Sequence, residues 1–160
     1  KLNLQKVLAD QKKGVVTKSG NLTFISPKGK VLRNGILEGI VNGAWGVSID
    51  GQDNVFASDF LGSGFAKICG TSEDNCPTYH ATGDLIHLYQ SGIIQKVTDT
   101  MIDDAGNVWI ANNWDYLPAL VDADPDRRMA TRGGGTGITV IYGIASPVLN
   151  PLIGQVRRPE

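Results

Sequence analysis

The chain has 160 residues, enough for one domain with a sizeable core, and carries 15 basic against 16 acidic residues for a formal net charge of −1. That balance leaves no positive excess to neutralise a phosphate backbone, so nucleic acid is not an expected partner. The 20 glycines, the charged fraction of 19%, and the lack of any window near the roughly 18 apolar residues of a membrane span point to a turn-rich all-β protein with no membrane-spanning segment.

Residues 1–14 read as a lead-in, a short helix or an irregular segment, because Leu4, Val7 and Leu8 lie at helical spacing for a single turn only. The chain opens on Lys1 with no apolar stretch behind it, so any targeting segment is expected upstream or already removed. Leu22-Thr23-Phe24-Ile25 reads as a strand, and Ser26-Pro27-Lys28-Gly29-Lys30 as a turn into another that begins at Val31. Val47 to Asp59 then reads as strand, turn, strand: Asp50-Gly51-Gln52-Asp53-Asn54 supplies residues that tolerate positive φ, flanked by Val, Ile and Phe at strand spacing.

A long insert over 61–82 follows, and it holds Cys69 and Cys76, the chain's two cysteines. Their polar surroundings, Ile-Cys-Gly-Thr-Ser-Glu-Asp-Asn-Cys-Pro, leave two readings open: a short disulfide ring, or half a zinc site completed by His80 and His87. The disulfide implies an oxidising compartment, which means a secreted, periplasmic or cell-surface protein. Leu85-Ile86-His87-Leu88 reads as a third strand with His87 facing solvent, and Ser91-Gly92-Ile93-Ile94 as the turn into a fourth. Thr100 to Asn112 is a second hairpin, aligning without a gap on Val47 to Asp59 at an offset of 53 residues. A second insert over 113–136 follows it and ends in Gly133-Gly134-Gly135, which no Lys-Ser/Thr pair follows and which is therefore a flexible lead into the strand Ile138-Thr139-Val140-Ile141 rather than a phosphate loop. Residues 155–160 form a C-terminal tail.

The repeat therefore predicts four-stranded antiparallel units with a period of 53 residues, somewhat beyond the roughly 40–50 of common propeller blades, the inserts supplying the excess. Gly43-Ala44-Trp45-Gly46-Val47-Ser48-Ile49-Asp50 with Asn54-Val55-Phe56-Ala57, and more closely Asp103-Asp104-Ala105-Gly106-Asn107-Val108-Trp109-Ile110-Ala111-Asn112, resembles the blade hairpin of NHL-repeat β-propellers. The Cys69 loop, Thr82-Gly83-Asp84, Asn112-Asn113-Trp114 and Pro147 to Gly154 look like the C-terminal part of large exported bacterial proteins of this kind, and the resemblance runs from Val15 to Gly154. It implies a partial NHL-like β-propeller over 15–154 and export from the cell, and it brings no assigned activity. Propellers close with roughly 4–8 blades, whereas about two and a half are countable here, so the fold is expected to be completed by the remaining blades of a longer propeller or by another subunit.

Function is expected on the face where both inserts emerge, since long loops on a rigid scaffold carry binding groups. Trp114 and Tyr116 are candidate binding anchors, and His80 is a candidate base or ligand. Trp45 and Trp109 read as packing between blades. Asp122, Asp124 and Asp126 alternate in a way that suits either a calcium site or a solvated acidic turn neutralised by Arg127 and Arg128, and no other cofactor is indicated. No nucleophile elbow or His-Glu-x-x-His pair is present. The leading expectation is a non-catalytic binding or scaffold segment of an exported propeller, and the alternative is part of a propeller lactonase or lyase with a metal at the central channel.

Overall fold

The computed structural model describes residues 22–38, 40–114 and 134–148, so the lead-in over 1–14 and the tail over 155–160 lie outside the described residues. Among them the protein is all-β, its strands paired antiparallel in three sheets. The first sheet holds β1 (Leu22–Ile25) and β2 (Val31–Ile36); the second holds β3 (Val47–Ile49), β4 (Val55–Asp59), β5 (Gly64–Ile68) and β6 (Leu85–Tyr89); the third holds β7 (Lys96–Ile102), β8 (Val108–Trp114) and β9 (Gly134–Ile141). Each sheet is a meander in which sequence neighbours are hydrogen-bonded neighbours. No helix among the described residues is long and apolar enough to cross a membrane.

The two hairpins read from the sequence form in the same register, 53 residues apart: Val47 pairs with Ala57 and Ile49 with Val55, as Thr100 pairs with Ile110 and Ile102 with Val108. Identical turns set that register. Asp50 Oδ1 accepts the backbone N–H of Gln52 and of Asn54, each at 2.9 Å, and Asp103 Oδ1 accepts those of Ala105 and Asn107 at the same distance. The fourth turn position takes positive φ in both copies, 67° at Asp53 and 79° at Gly106, which Asp and Gly tolerate better than other residues. The opposite ends of the units match as well. Asp59 Oδ1 accepts the Asn42 N–H at 2.7 Å, and 53 residues later Asn112 Oδ1 accepts that of Gln95 at 3.1 Å, so each second strand clasps the linker that brings the chain into its sheet.

The sheets stack through their faces. Val55 and Ala57 of β4 and Ala66 and Ile68 of β5 point one way and join Ile36, Leu37 and Val41 in one core; Phe56 and Phe65 point the other way and join Ile94, Val97, Val108, Ile110 and Ala145 in a second. The second sheet is thus buried on both faces, which is why every residue of β4 is buried. Residues 143–146 then pass back across both turns: Gly143 N–H donates to Asn107 Oδ1, Ala145 N–H to the Gly106 carbonyl and Ser146 N–H to Asp50 Oδ2, each at 3.1 Å.

Four sequence expectations are corrected. The stretch 61–82 is not one insert, because Gly64–Ile68 forms β5; Leu85–Tyr89 is accordingly the fourth strand of its sheet and not the third. By the 53-residue offset its counterpart is β2, while by place in the sheet, rather than by that offset, β9 corresponds to β5, and β1, the strand paired before β2, does so too. Ser91 to Ile94 does not lead into a fourth strand; it links the second sheet to the third, with Ile94 buried between them. Gly134 and Gly135 belong to β9 rather than to a flexible lead, because a Cβ on Gly135 would overlap the backbone of Asn112 and Asn113.

Candidate functional site

The extra strand moves the long connections to opposite ends of the sheets. β5 ends at Ile68, paired with Val55, so the Cys69 to Asp84 loop emerges at the end that carries the Asp50 and Asp103 turns. The second insert leaves at Trp114, which pairs with Gly134, at the far end. The expectation of one shared face is therefore corrected, and His80 and Trp114 are not brought together.

At the far end the linker Gly43–Gly46 lies against the third sheet and opens a cleft of about 710 Å³, lined by Trp45, Gly46, Thr98, Asp99, Ala111, Asn113 and Trp114. Ser58, fully buried, fixes one wall by accepting the N–H groups of Trp45 at 3.1 Å and Gly46 at 2.7 Å. The Trp45 ring rests on Phe60, centroids 4.8 Å apart, yet 65% of the residue stays exposed; its packing is within its own sheet and not between sheets as the sequence suggested. Gly46 is obligatory here, since a Cβ would stand 2.6 Å from Asp99 Cα and 2.7 Å from the Thr98 carbonyl oxygen.

The floor is polar. Asn113 Nδ2 donates to Thr98 Oγ1 at 2.7 Å, and Asp99 Oδ1 accepts the Thr100 N–H at 2.9 Å. By the 53-residue offset Thr98, Asp99 and Asn113 stand where the second sheet has Trp45, Gly46 and Phe60, so a hydrogen-bonded pair and a carboxylate replace an aromatic pair and a glycine. Trp114, a sequence candidate, lines this cleft; Tyr116, Asp122, Asp124 and Asp126 lie outside the described residues. Sequence reasoning missed Asp99, Thr98 and Asn113, although the same repeat alignment, extended back past the hairpin, exposes them as polar departures.

At the turn end Cys69 and Cys76 stand at disulfide distance with Cα atoms 5.5 Å apart, which resolves the two readings of their spacing in favour of the bond and suits an oxidising compartment. Asp53 caps the loop: Oδ2 accepts Thr71 N–H and Thr71 Oγ1–H, each at 2.7 Å, and Ser72 N–H at 2.9 Å. Burial pulls its carboxyl upward, but these bonds outweigh it and hold the group below the ordinary value. Across the loop Asp84 accepts the Ala81 N–H and the Arg33 guanidinium, both at 2.9 Å, and is held low by them in that order. His80 reaches the Thr78 carbonyl oxygen at 3.4 Å. His87 is exposed on β6, its ring edge against Tyr89 at 4.4 Å. Among the described residues no three His, Cys, Asp or Glu side chains gather where a metal ion would be held.

Comparison of the chain with protein-family models, with curated proteins and with solved structures finds no match in any of the three.

Proposed function

We propose that the chain is a non-catalytic binding or scaffold segment of an exported, NHL-like β-propeller, and that its outer sheet face docks a further blade, supplied by the same longer polypeptide or by another subunit. The observation that supports this reading is a mismatch in burial between equivalent positions. Phe56 and Phe65, on the second sheet's face toward the third, are both 0% exposed; the residues at the same positions on the third sheet, Trp109 and Ile138, are 42% and 67% exposed, and Met101 beside them 68%. Together with Asp99, Thr100, Ile110 and Ala111 they line a small, largely apolar hollow of about 130 Å³. Burying each large apolar side chain is worth roughly 1.5–3 kcal/mol, so a covered face contributes on the scale of a whole domain's net stability of about 5–15 kcal/mol. Within the described residues β9 is also an edge strand, where the second sheet continues into β6.

Sedimentation equilibrium of the chain tests the reading. The open face is expected to drive concentration-dependent association, and the paired variant Met101→Glu, Ile138→Glu to abolish it while leaving the far-ultraviolet circular dichroism unchanged. A chain that stays monomeric at all concentrations, and whose unfolding midpoint the paired variant does not alter, overturns it.

A further inference from the structure

We propose that the cleft between Trp45 and Trp114 is a saccharide-binding site for a neutral β-linked pyranoside, with Asp99 and Asn113 fixing its hydroxyl groups. This goes beyond the assembly reading and does not rest on it; Asp99 and Ala111 line both this cleft and the hollow of the outer face, so a docked blade and a saccharide compete for them.

Trp45, exposed as a residue yet held by ring contact with buried Phe60 and by the Ser58 clasp on its backbone, offers a positioned apolar plate to solvent. Such a plate gains little from water and loses little side-chain freedom on meeting a flat partner. The C–H face of a pyranose ring with equatorial substituents is such a partner, and its rim of hydroxyls needs acceptors and donors at the edge of the plate. The floor supplies both. Asp99 Oδ1 is occupied by the Thr100 N–H, while Oδ2 has no partner among the described residues and accepts two hydroxyl protons. Asn113 spends one amide proton on Thr98 Oγ1 and keeps the other proton and its carbonyl oxygen for a ligand.

The repeat strengthens the case. The second sheet carries an aromatic pair at the positions of Thr98 and Asn113 and a glycine at that of Asp99, so neither strand geometry nor the linker clasp requires these polar groups. The chemistry also selects among ligands. A carboxylate as the cleft's charged group disfavours uronic acids and phosphorylated sugars. The cleft opens to solvent and holds donors as well as acceptors, which a cage for a quaternary ammonium would not need. Two tryptophans lining one cleft of about 710 Å³ match a run of sugar rings better than a single one.

Cellohexaose and chitohexaose, titrated into the full chain while tryptophan fluorescence and calorimetric heat are followed, test the proposal, with a hexauronate as the charged control. Saturable binding of at least one neutral hexamer and none of the hexauronate is expected. Affinity should fall about tenfold or more in Trp45→Ala and in Asp99→Asn. Asp99→Asn keeps an oxygen for the Thr100 N–H, and Trp45→Phe keeps a ring on Phe60, so one variant of each kind remains informative should Trp45→Ala fail to fold. Tyr142→Ser, an exposed aromatic at the turn end, should bind as the parent does. The proposal is overturned by an absence of binding to either neutral hexamer at millimolar concentration, or by binding that Trp45→Phe and Asp99→Asn leave unchanged.

Discussion

The single side chains that define the repeat are acceptors of backbone N–H groups, and one of them carries a titratable signature. Asp103 accepts the Trp109 indole N–H on Oδ2 at 2.9 Å and the Asn107 backbone and side-chain N–H groups at 2.9 Å, which lower its carboxyl from the ordinary 3.8 to about 2, the indole contributing most. A depressed carboxyl favours the folded state at pH values above its unfolded value, and that contribution fades as the pH falls from about 4 through about 2. In Trp109→Phe the strongest donor is gone, so the Asp103 carboxyl, followed by ¹³C NMR titration, is expected to rise toward 3.8, and the acid limb of unfolding to become less steep. An unchanged midpoint in the variant would show that the indole does not govern the carboxylate. Asp50, the counterpart 53 residues earlier, has no indole donor because Phe56 stands where Trp109 does; the Ser146 N–H occupies its Oδ2 instead. The same carboxylate oxygen therefore accepts the Ser146 N–H in one turn and an indole N–H in the other.

Among the elements, legibility followed local chemistry. Both hairpins could be read because Asp-x-x-(Asp/Gly)-Asn dictates its own turn, and because β4 and β8 are runs of Val, Phe, Ile and Ala between such turns. β5 could not: it opens on Gly64, spans five residues and carries Lys67, whose part-buried ammonium is compensated by donating to the Ile144 carbonyl at 2.9 Å, by Asp50 Oδ2 at 3.9 Å and by the Phe56 ring 5.3 Å away. The carbonyl that satisfies it is 77 residues away, so no local pattern announces the strand. Missing it misplaced β6 and the Cys69 loop, while Trp114 was found because an aromatic beside two asparagines stands out locally. The loop itself is held by the Cys69–Cys76 link, by Asp53 and by Arg33 with Asp84. Closing so short a ring limits the unfolded chain by roughly 2–3 kcal/mol. Cys76→Ser, or reduction of the native protein, should lower stability by about that amount in urea unfolding, with β5 and β6 still paired. Equal midpoints for the oxidised and reduced protein would show that Asp53 and Arg33 suffice to order the loop.

Across the whole molecule the three sheets form a stack with nearest-neighbour cores: one between the first and second sheets, one between the second and third. In such an array stability is close to a sum of unit and interface contributions, and a unit with two interfaces outlasts a unit with one. The burial patterns follow that rule. β4 is buried at every position and β5 at all but Lys67, whereas β2 is exposed over its first four residues, and Ile138 in β9 is open to solvent. Native-state hydrogen exchange is therefore expected to be slowest in β4 and β5, limited there by global unfolding, and faster in β1, β2 and β9, which open with one interface lost. The same measurement reports on the open face. When a further sheet of the repeat covers Met101, Trp109 and Ile138, the third sheet acquires its second interface, and β9 protection should climb to the level of β4 while β1 and β2 stay as they were. Protection that is uniform across the three sheets in the chain alone would remove both the stack and the argument that its end is built to be covered, because a sheet with one interface would then be as secure as a sheet with two.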